Sequence, residues 1–369
     1  MKKNVVILYN TTVYVYKFRI NLIKKIQELG YQVIVVSPKD EYVEKLKEQG
    51  IKHININMSQ YGMNPIKEIK TSYDIYKIFK KYNPEFSLHY TIKPNIFGGI
   101  AAAFTSVKVI NNIAGAGKAF SNEESLFAKL ISILYKIGLK SSRKIFFQNF
   151  DDMNLFLNRK LVKKELAERI PGSGVDLNKY KTSSISTDNT FLFVGRLLKE
   201  KGIEYYLEAA KKTLSFSPDA KFFIVGEHEE RSEYIEKDKL DKYLENENII
   251  YYGTVSPDKM PEIIDNSSCV VLPSYYREGV PRSLLEAGAM SKVIITTNNV
   301  GCKEVVDEGY NGFKCEIKNS DCLHKSMMRY VNLKEEDKVT MSKNSRLKMV
   351  KEFDENIVLS KYINIIKES

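Results

Sequence analysis

Glu278 and Glu286 stand with seven residues between them in Tyr275 to Met290, YYREGVPRSLLEAGAM, just after the β-branched run Cys269 to Ser274, CVVLPS. Such a run suits a strand buried on both faces of a parallel sheet. Proline at a first helical position loses no hydrogen bond, so a helix is expected from Pro281. This puts Glu278 in the loop before the helix and Glu286 one to two turns inside it. In an open α/β sheet, ligands bind beyond the carboxyl ends of the strands, where such a loop lies. First-turn amides and the positive end of the helix dipole favour an anion there. The stretch offers a phosphate seat flanked by two carboxylates, although two glutamates at a helix start, taken alone, fit solvated positions equally well.

The surrounding words narrow the choice. Val194-Gly195-Arg196 ends an earlier strand, Lys201-Gly202 opens the next helix, and Gly301, Glu304 and the turn Glu308-Gly309-Tyr310-Asn311-Gly312-Phe313 follow downstream. Arg196 and Lys201 are two fixed cations at a strand end. They suit a diphosphate whose charge grows as a bond to it breaks, because they then stabilise the transition state more than the ground state. In this order, VGRLLKEKG, EGVPRSLLEAGA and VGCKEVVDEGYNGF resemble the family 4 retaining glycosyltransferases, which have the GT-B fold. The resemblance is strongest over residues 190 to 315.

The resemblance implies roles for individual residues. Glu286 is expected on the ribose hydroxyls of a nucleotide and Glu278 on hydroxyls of the donor sugar. Backbone amides of Gly279 and Val280, at the Pro281 helix start, are expected at the diphosphate or sugar, and the Gly253-Thr254-Val255 turn at the base. Arg196, Lys201 and Glu278 are the expected catalytic set. Retention in this family is explained by front-face attack within an ion pair, which needs no general base beyond the leaving phosphate. Many sugar-nucleotide enzymes hold Mg²⁺ through Asp-x-Asp; the chain contains no such triplet. Metal-independent transfer from a nucleotide sugar, UDP-linked, is the expectation, with no cofactor and no metal ligand.

In the N-terminal half, the loop after the first strand, Asn10-Thr11-Thr12-Val13-Tyr14, ends in Phe18-Arg19 and lacks the Gly-Gly pair of many members. Tyr90-Thr91-Ile92-Lys93-Pro94-Asn95 and Asn111-Asn112-Ile113-Ala114-Gly115-Ala116-Gly117 look like segments of bacterial members that build capsules, O-antigens and other lipid-linked glycans. Thr11, Lys93, Gly115, Gly117 and Lys118 are therefore candidate substrate contacts, with ordinary loop positions as the alternative for each. Gly115-Ala-Gly117-Lys118 is not a P-loop, since Asn112 replaces the first glycine and Ala119 the Ser/Thr for Mg²⁺. Of the histidines, only His89 precedes a site segment.

The elements that must position these residues follow a βα rhythm. Strands are expected at 4–9, 31–37, 51–57, 86–90, 107–113 and 144–148, then from Phe191 and at 221–225, 249–252, 269–273 and 293–296. One helix is expected from Val15 to Leu29. In another, beginning at Asn64-Pro65, Ile66, Ile69, Tyr73, Tyr76 and Phe79 recur at helical spacing and read as core. The polar segment Lys179 to Asn189 reads as the interdomain linker. At 369 residues two domains are the default: 1–178, acceptor-binding, joined by a crossover helix at about 354–369, and 190–353, nucleotide-sugar-binding. The fold class expected is α/β, GT-B, two Rossmann-like doubly wound parallel-sheet domains facing across a cleft.

Charge divides unevenly. Residues 1–180 carry 29 Lys+Arg against 15 Asp+Glu, net +14, and the remainder 28 against 31, net −3. The N-terminal half is expected to face something anionic: a membrane surface, a diphosphate-bearing acceptor or nucleic acid. No nucleic-acid motif supports the last. Leu126 to Leu139, LFAKLISILYKIGL, with lysines beside it, suits either a helix lying on anionic lipid or a core helix with a basic outer face. Four cysteines without CxxC spacing fit a reducing compartment. No apolar run is long enough to span a bilayer.

The reading is a cytoplasmic enzyme on the inner face of the membrane that moves a hexose or N-acetylhexosamine to a polyprenyl-diphosphate-linked glycan. A nucleotide-sugar 2-epimerase of GT-B-like fold is opposed by the scarcity of histidines, and an inactive sugar-nucleotide-binding partner by the intact Arg196, Lys201, Glu278 and Glu286 set.

Overall fold

The computed structural model describes residues 3–59, 62, 64–120, 124–181 and 184–368, apart from the side chains of 118 and 119. Contacts divide the chain into two units, Met1–Ser173 with Asn356–Ser369, and Gly174–Glu355. The division thus falls before the polar segment at 179–189. That segment lies in the second unit, where Arg346 donates to the Tyr180 carbonyl and Lys338 to the Thr187 carbonyl and Asn189 Oδ1.

The first unit is a parallel sheet of β1 (Asn4–Leu8), β2 (Gln32–Ser37), β3 (Lys52–Asn55), β4 (Phe86–Tyr90), β5 (Lys108–Ile113), β6 (Ser142–Phe147) and β7 (Ala167–Arg169), in the order β3-β2-β1-β4-β5-β6-β7. Its strands are near-continuous apolar runs because helices cover both faces. On one face Val5, Ile7, Ile110 and Phe146 pack with Leu22, Ile23 and Ile26, and with Val358, Tyr362 and Ile366 of the Glu355–Lys367 helix. On the other, Val6, Leu8 and Val109 meet Ile75 and Phe79, and Ile113, Ile145 and Phe147 meet Ile131 and Tyr135.

The second unit is a parallel sheet of β8 (Thr190–Val194), β9 (Lys221–Val225), β10 (Ile249–Tyr251), β11 (Cys269–Leu272), β12 (Val293–Thr297) and β13 (Gly312–Cys315), in the order β10-β9-β8-β11-β12-β13. Strand order reverses between β1 and β4 in the first sheet and between β8 and β11 in the second. In open α/β sheets ligands gather at such reversals. β13 falls where the sequence suggested only a turn.

Two expectations are corrected. The helix expected from Val15 to Leu29 is two, Thr12–Phe18 and Ile20–Glu28, broken at Arg19. Arg19 is 3% exposed, and its guanidinium lies 4.2 Å from the Tyr90 ring centroid. A straight helix is given up for that inward-turned cation. In the Pro65–Tyr82 helix, Ile66, Ile69 and Tyr73 are 79%, 70% and 59% exposed rather than core. Its buried stripe is Glu68, Thr71, Ile75 and Phe79. The reason is electrostatic: Glu68 turns inward to meet Lys93 at 2.6 Å, and the apolar residues on the opposite face turn outward.

His89 on β4 is fully buried, with Nε2 2.8 Å from Ser87 Oγ and its ring parallel to Phe79. Burial lowers its pKa to about 3. The unfolded chain takes up this proton below about 6.5, whereas the fold resists it until about 3. The resulting stability is present above about 6.5 and is lost as pH falls through that window. Lowering the pH from 7 to 5 is expected to cost the first unit about 2 kcal/mol from this residue. Denaturant titrations at the two pH values, run on the wild type and on His89→Gln, check it: the variant should show a smaller difference between them.

Candidate active site

The reversal between β8 and β11 sets two loops side by side at the carboxyl edge of the second sheet. From β8 the chain runs through Gly195 and Arg196 to Lys201. From β11 it runs through Ser274 to Glu278. The loops are fastened by main chain: the Glu200 carbonyl accepts from the amides of Tyr275 and Tyr276 at 3.0 and 3.1 Å. Gly202 closes the first loop at φ +82°, and a Cβ there would lie 2.1 Å from the Pro273 carbonyl oxygen. Only glycine combines that conformation with that approach.

This fastening pairs Lys201 with Glu278. Their side chains are 20% and 11% exposed, and the ammonium donates to Glu278 Oε1 in a close ion pair. Ser274 Oγ lies 3.0 Å from the same Oε1 and 3.2 Å from the Glu200 carbonyl, so its single proton serves one of the two at a time. Behind the carboxylate sits Cys302, fully buried, its thiol pushed up to about 12 by burial and then by the Glu278 charge. An ammonium has three donors, of which Glu278 takes one. The pair can share that ammonium with an incoming anion.

The helix after this loop is Arg282–Ala289, and Pro281 caps it with extended backbone (φ −63°, ψ 120°) instead of forming its first residue. The Pro281 carbonyl accepts the Leu284 amide at 3.2 Å. Val280 is buried beside it. Glu286, 8% exposed, accepts from Arg282 Nε at 3.0 Å, while Arg282 also donates to the Gly174 carbonyl. Burial, and next the Glu286 carboxylate, push the Tyr180 phenol well up. Glu286 is therefore held between Arg282 and Tyr180.

Arg196 follows the β8 end, and its charge acts on the Tyr234 phenol, which burial pushes up to about 12 against that pull. Gly253 follows the edge strand β10 at φ +69°, with open space where a Cβ would stand, and its carbonyl accepts the Gly226 amide at 2.9 Å. Thr254 is exposed and Val255 half-buried.

In the first unit the expected substrate contacts are more occupied. Thr11 is buried, and the amides of Thr12 and Val13 after it both donate to Asp40 Oδ2 at 3.0 Å, so the chain's own carboxylate fills that helix start. Lys93 is 6% exposed and donates to Glu68 and to Ser59 Oγ, each at 2.6 Å. Gly115 and Gly117 take φ +123° and +62° around Ala116, whose amide donates to buried Asp152. The Lys118 side chain lies outside the described residues.

Three participants were not singled out from sequence: Ser274, Asn299 and Arg282. Asn299 Nδ2 donates to the Tyr276 carbonyl at 2.7 Å, and at Gly301 (φ +80°) a Cβ would lie 1.8 Å from the Gly279 carbonyl oxygen. The loop after β12 thus buttresses residues 276–279. The signal for Asn299 was its place just past a strand end, and for Arg282 its i,i+4 spacing to Glu286.

Two family models match, Glycosyl transferase 4-like over residues 5–149 and Glycosyl transferases group 1 over 176–348. The chain is 27% identical to a Campylobacter jejuni N,N'-diacetylbacillosaminyl-diphospho-undecaprenol alpha-1,3-N-acetylgalactosaminyltransferase, over 95% of each chain. It is 29% identical to an Escherichia coli UDP-Gal:alpha-D-GlcNAc-diphosphoundecaprenol alpha-1,3-galactosyltransferase, over 82% of this chain and 79% of that one. Among solved structures, a Rickettsia africae glycosyltransferase superposes with TM-score 0.79 at 20% identity, over 100% of this chain and 98% of that one. Anabaena HepE in complex with UDP superposes with TM-score 0.80 at 15% identity, over the whole of both chains. Both parallel-sheet units carry the architecture of these neighbours, each model covers one of them, and the chain belongs to the family 4 glycosyltransferases of GT-B fold.

Proposed function

We propose that this glycosyltransferase moves a hexose or N-acetylhexosamine from a UDP-sugar to a polyprenyl-diphosphate-linked glycan in bacterial surface polysaccharide or glycan assembly, with retention and without a metal. The observation that carries the donor half is the Lys201–Glu278 pair at the reversal between β8 and β11. The acceptor is supported by the Campylobacter and Escherichia relatives, whose names specify undecaprenol-diphosphate-linked sugars.

In this reading Lys201 and Arg196 stabilise the leaving diphosphate, while Glu278 takes sugar hydroxyls and Glu286 the ribose. The bond between the sugar C1 and the phosphate oxygen breaks, and the acceptor hydroxyl oxygen bonds C1 on the same face. Its proton goes to the departing phosphate oxygen. The fixed cations supply the charge stabilisation that a divalent ion supplies elsewhere. Gly279, Val280 and the Pro281 cap would meet the diphosphate or sugar, and Gly253, Thr254 and Val255 the base. The enzyme would work at the inner face of the cytoplasmic membrane, where a lipid-linked acceptor is found.

Purified protein with EDTA, a panel of UDP-sugars and a short-chain polyprenyl-diphosphate-sugar acceptor is expected to yield one added sugar by mass spectrometry, with donor anomeric configuration kept by NMR. Isomerised donor without lipid product would instead mark an epimerase. Glu278→Ala should lower kcat by about 100-fold or more and leave UDP affinity, read by calorimetry, within about threefold. A second contrast tests the buttress. Gly301 and Gly309 both have positive φ, but only at Gly301 does a Cβ strike the donor loop. Gly301→Ala is expected to cost about tenfold or more in kcat/KM, whereas Gly309→Ala keeps it; equal losses would refute the buttress.

A further inference from the structure

The Leu126–Gly138 helix buries Ala128, Ile131, Tyr135 and Gly138 against the sheet and turns a second apolar stripe to solvent. Leu126 is 84% exposed, and Phe127, Leu130, Ile133 and Ile137 are each at least half exposed. Positions 126, 130, 133 and 137 recur at i, i+4, i+7 and i+11, one line along the helix. Lys129, Lys136 and Lys140 are exposed beside that line. The helix is thus a core helix with a basic outer face, and that outer face is apolar as well.

The stripe is not isolated. The Pro65–Tyr82 helix and this one both pack on the helical segment at 94–102, on the same face of the first sheet. At Gly99 a Cβ would stand 1.8 Å from the Gly138 carbonyl oxygen, so the contact is tight. Ile66, Ile69 and Tyr73 give the neighbouring helix its own exposed apolar line. With Phe104, nine of the 17 exposed large hydrophobics among the described residues sit on this one layer. Soluble proteins rarely gather apolar surface in that way without a partner.

We propose that this layer seats the first unit on an anionic lipid surface, with the 126–138 stripe entering the boundary between headgroups and acyl chains and its lysines meeting headgroup phosphates. The inference rests on the lipid-linked acceptor proposed above. Charge selects this occupant: a second copy would bring the same lysines face to face, whereas an anionic bilayer complements them and the net +14 of residues 1–180. Length selects the mode, since 13 residues span about 20 Å of helix, too short to cross a bilayer. No helix among the described residues is long and apolar enough to cross. The helix lies flat.

The test is co-sedimentation of purified protein with phosphatidylcholine vesicles, with and without phosphatidylglycerol. Binding is expected only with the anionic lipid and is expected to weaken with salt. Leu130→Ser/Ile133→Ser/Ile137→Ser and Lys129→Glu/Lys136→Glu/Lys140→Glu should each lower partitioning about tenfold or more, with thermal unfolding and transfer to a short-chain, water-soluble acceptor unchanged. A wild type that stays in the supernatant, or variants that sediment as it does, would overturn the docking surface. So would light scattering showing that the serine variant converts a dimer to a monomer. Loss of transfer to the soluble acceptor in the wild type would count against the proposed reaction alone.

Discussion

The reversal of strand order between β8 and β11 is the constraint on which the site in the second unit depends. The strands are neighbours, yet the helices that follow them leave in opposite directions, so their loops share one edge. A single carbonyl, that of Glu200, then takes two amides from the opposite loop. Because that link is main chain, it fixes where Lys201 and Glu278 begin before their charges interact. Ion pairs with this little water are costly unless geometry and extra hydrogen bonds compensate. Here Ser274 adds the hydrogen bond and Gly202 and Gly301 allow the close approach.

The first unit handles its charges differently. Asp40 occupies the helix start after β1, Glu68 and Ser59 hold Lys93, Asp152 holds the Ala116 amide, and Arg19 sits among tyrosines. The loop after β1 is closed by Thr12, whose hydroxyl bonds the Pro38 carbonyl and Ser37. Inside, the charged groups of this unit are met by its own amides, side chains and rings. Outside, the exposed Lys129, Lys136 and Lys140 stand beside the exposed apolar line of the 126–138 helix.

Two units of one architecture thus present different surfaces. The second offers a carboxyl edge with a cation, carboxylates and glycine-permitted backbone, which suits the sugar diphosphate proposed for it. The first offers a basic, apolar exterior, which suits the lipid surface proposed for it. Fold alone implies neither property. Each comes from side chains placed on a shared scaffold.

Much of this was legible in the residues. Apolar runs such as NVVILY and CVVLPS give parallel strands because only side chains buried on both faces can be apolar throughout. The E-x7-E, Arg196 and Lys201 words identify the family because their spacing already fixes a loop and a helix start. Local chain geometry decides such features, so sequence determines them. Which face of a helix turns inward is decided by what lies beneath it. Periodicity put Ile66, Ile69 and Tyr73 on one face but could not tell that Lys93, 25 positions from Glu68, would pull the opposite face inward. In the same way only the folded chain brings Asp40 to the Thr12 amide, Asn299 to Tyr276 and Glu200 to the loop after β11. These contacts join residues distant in sequence, and their partners are chosen by the order of strands in the sheet.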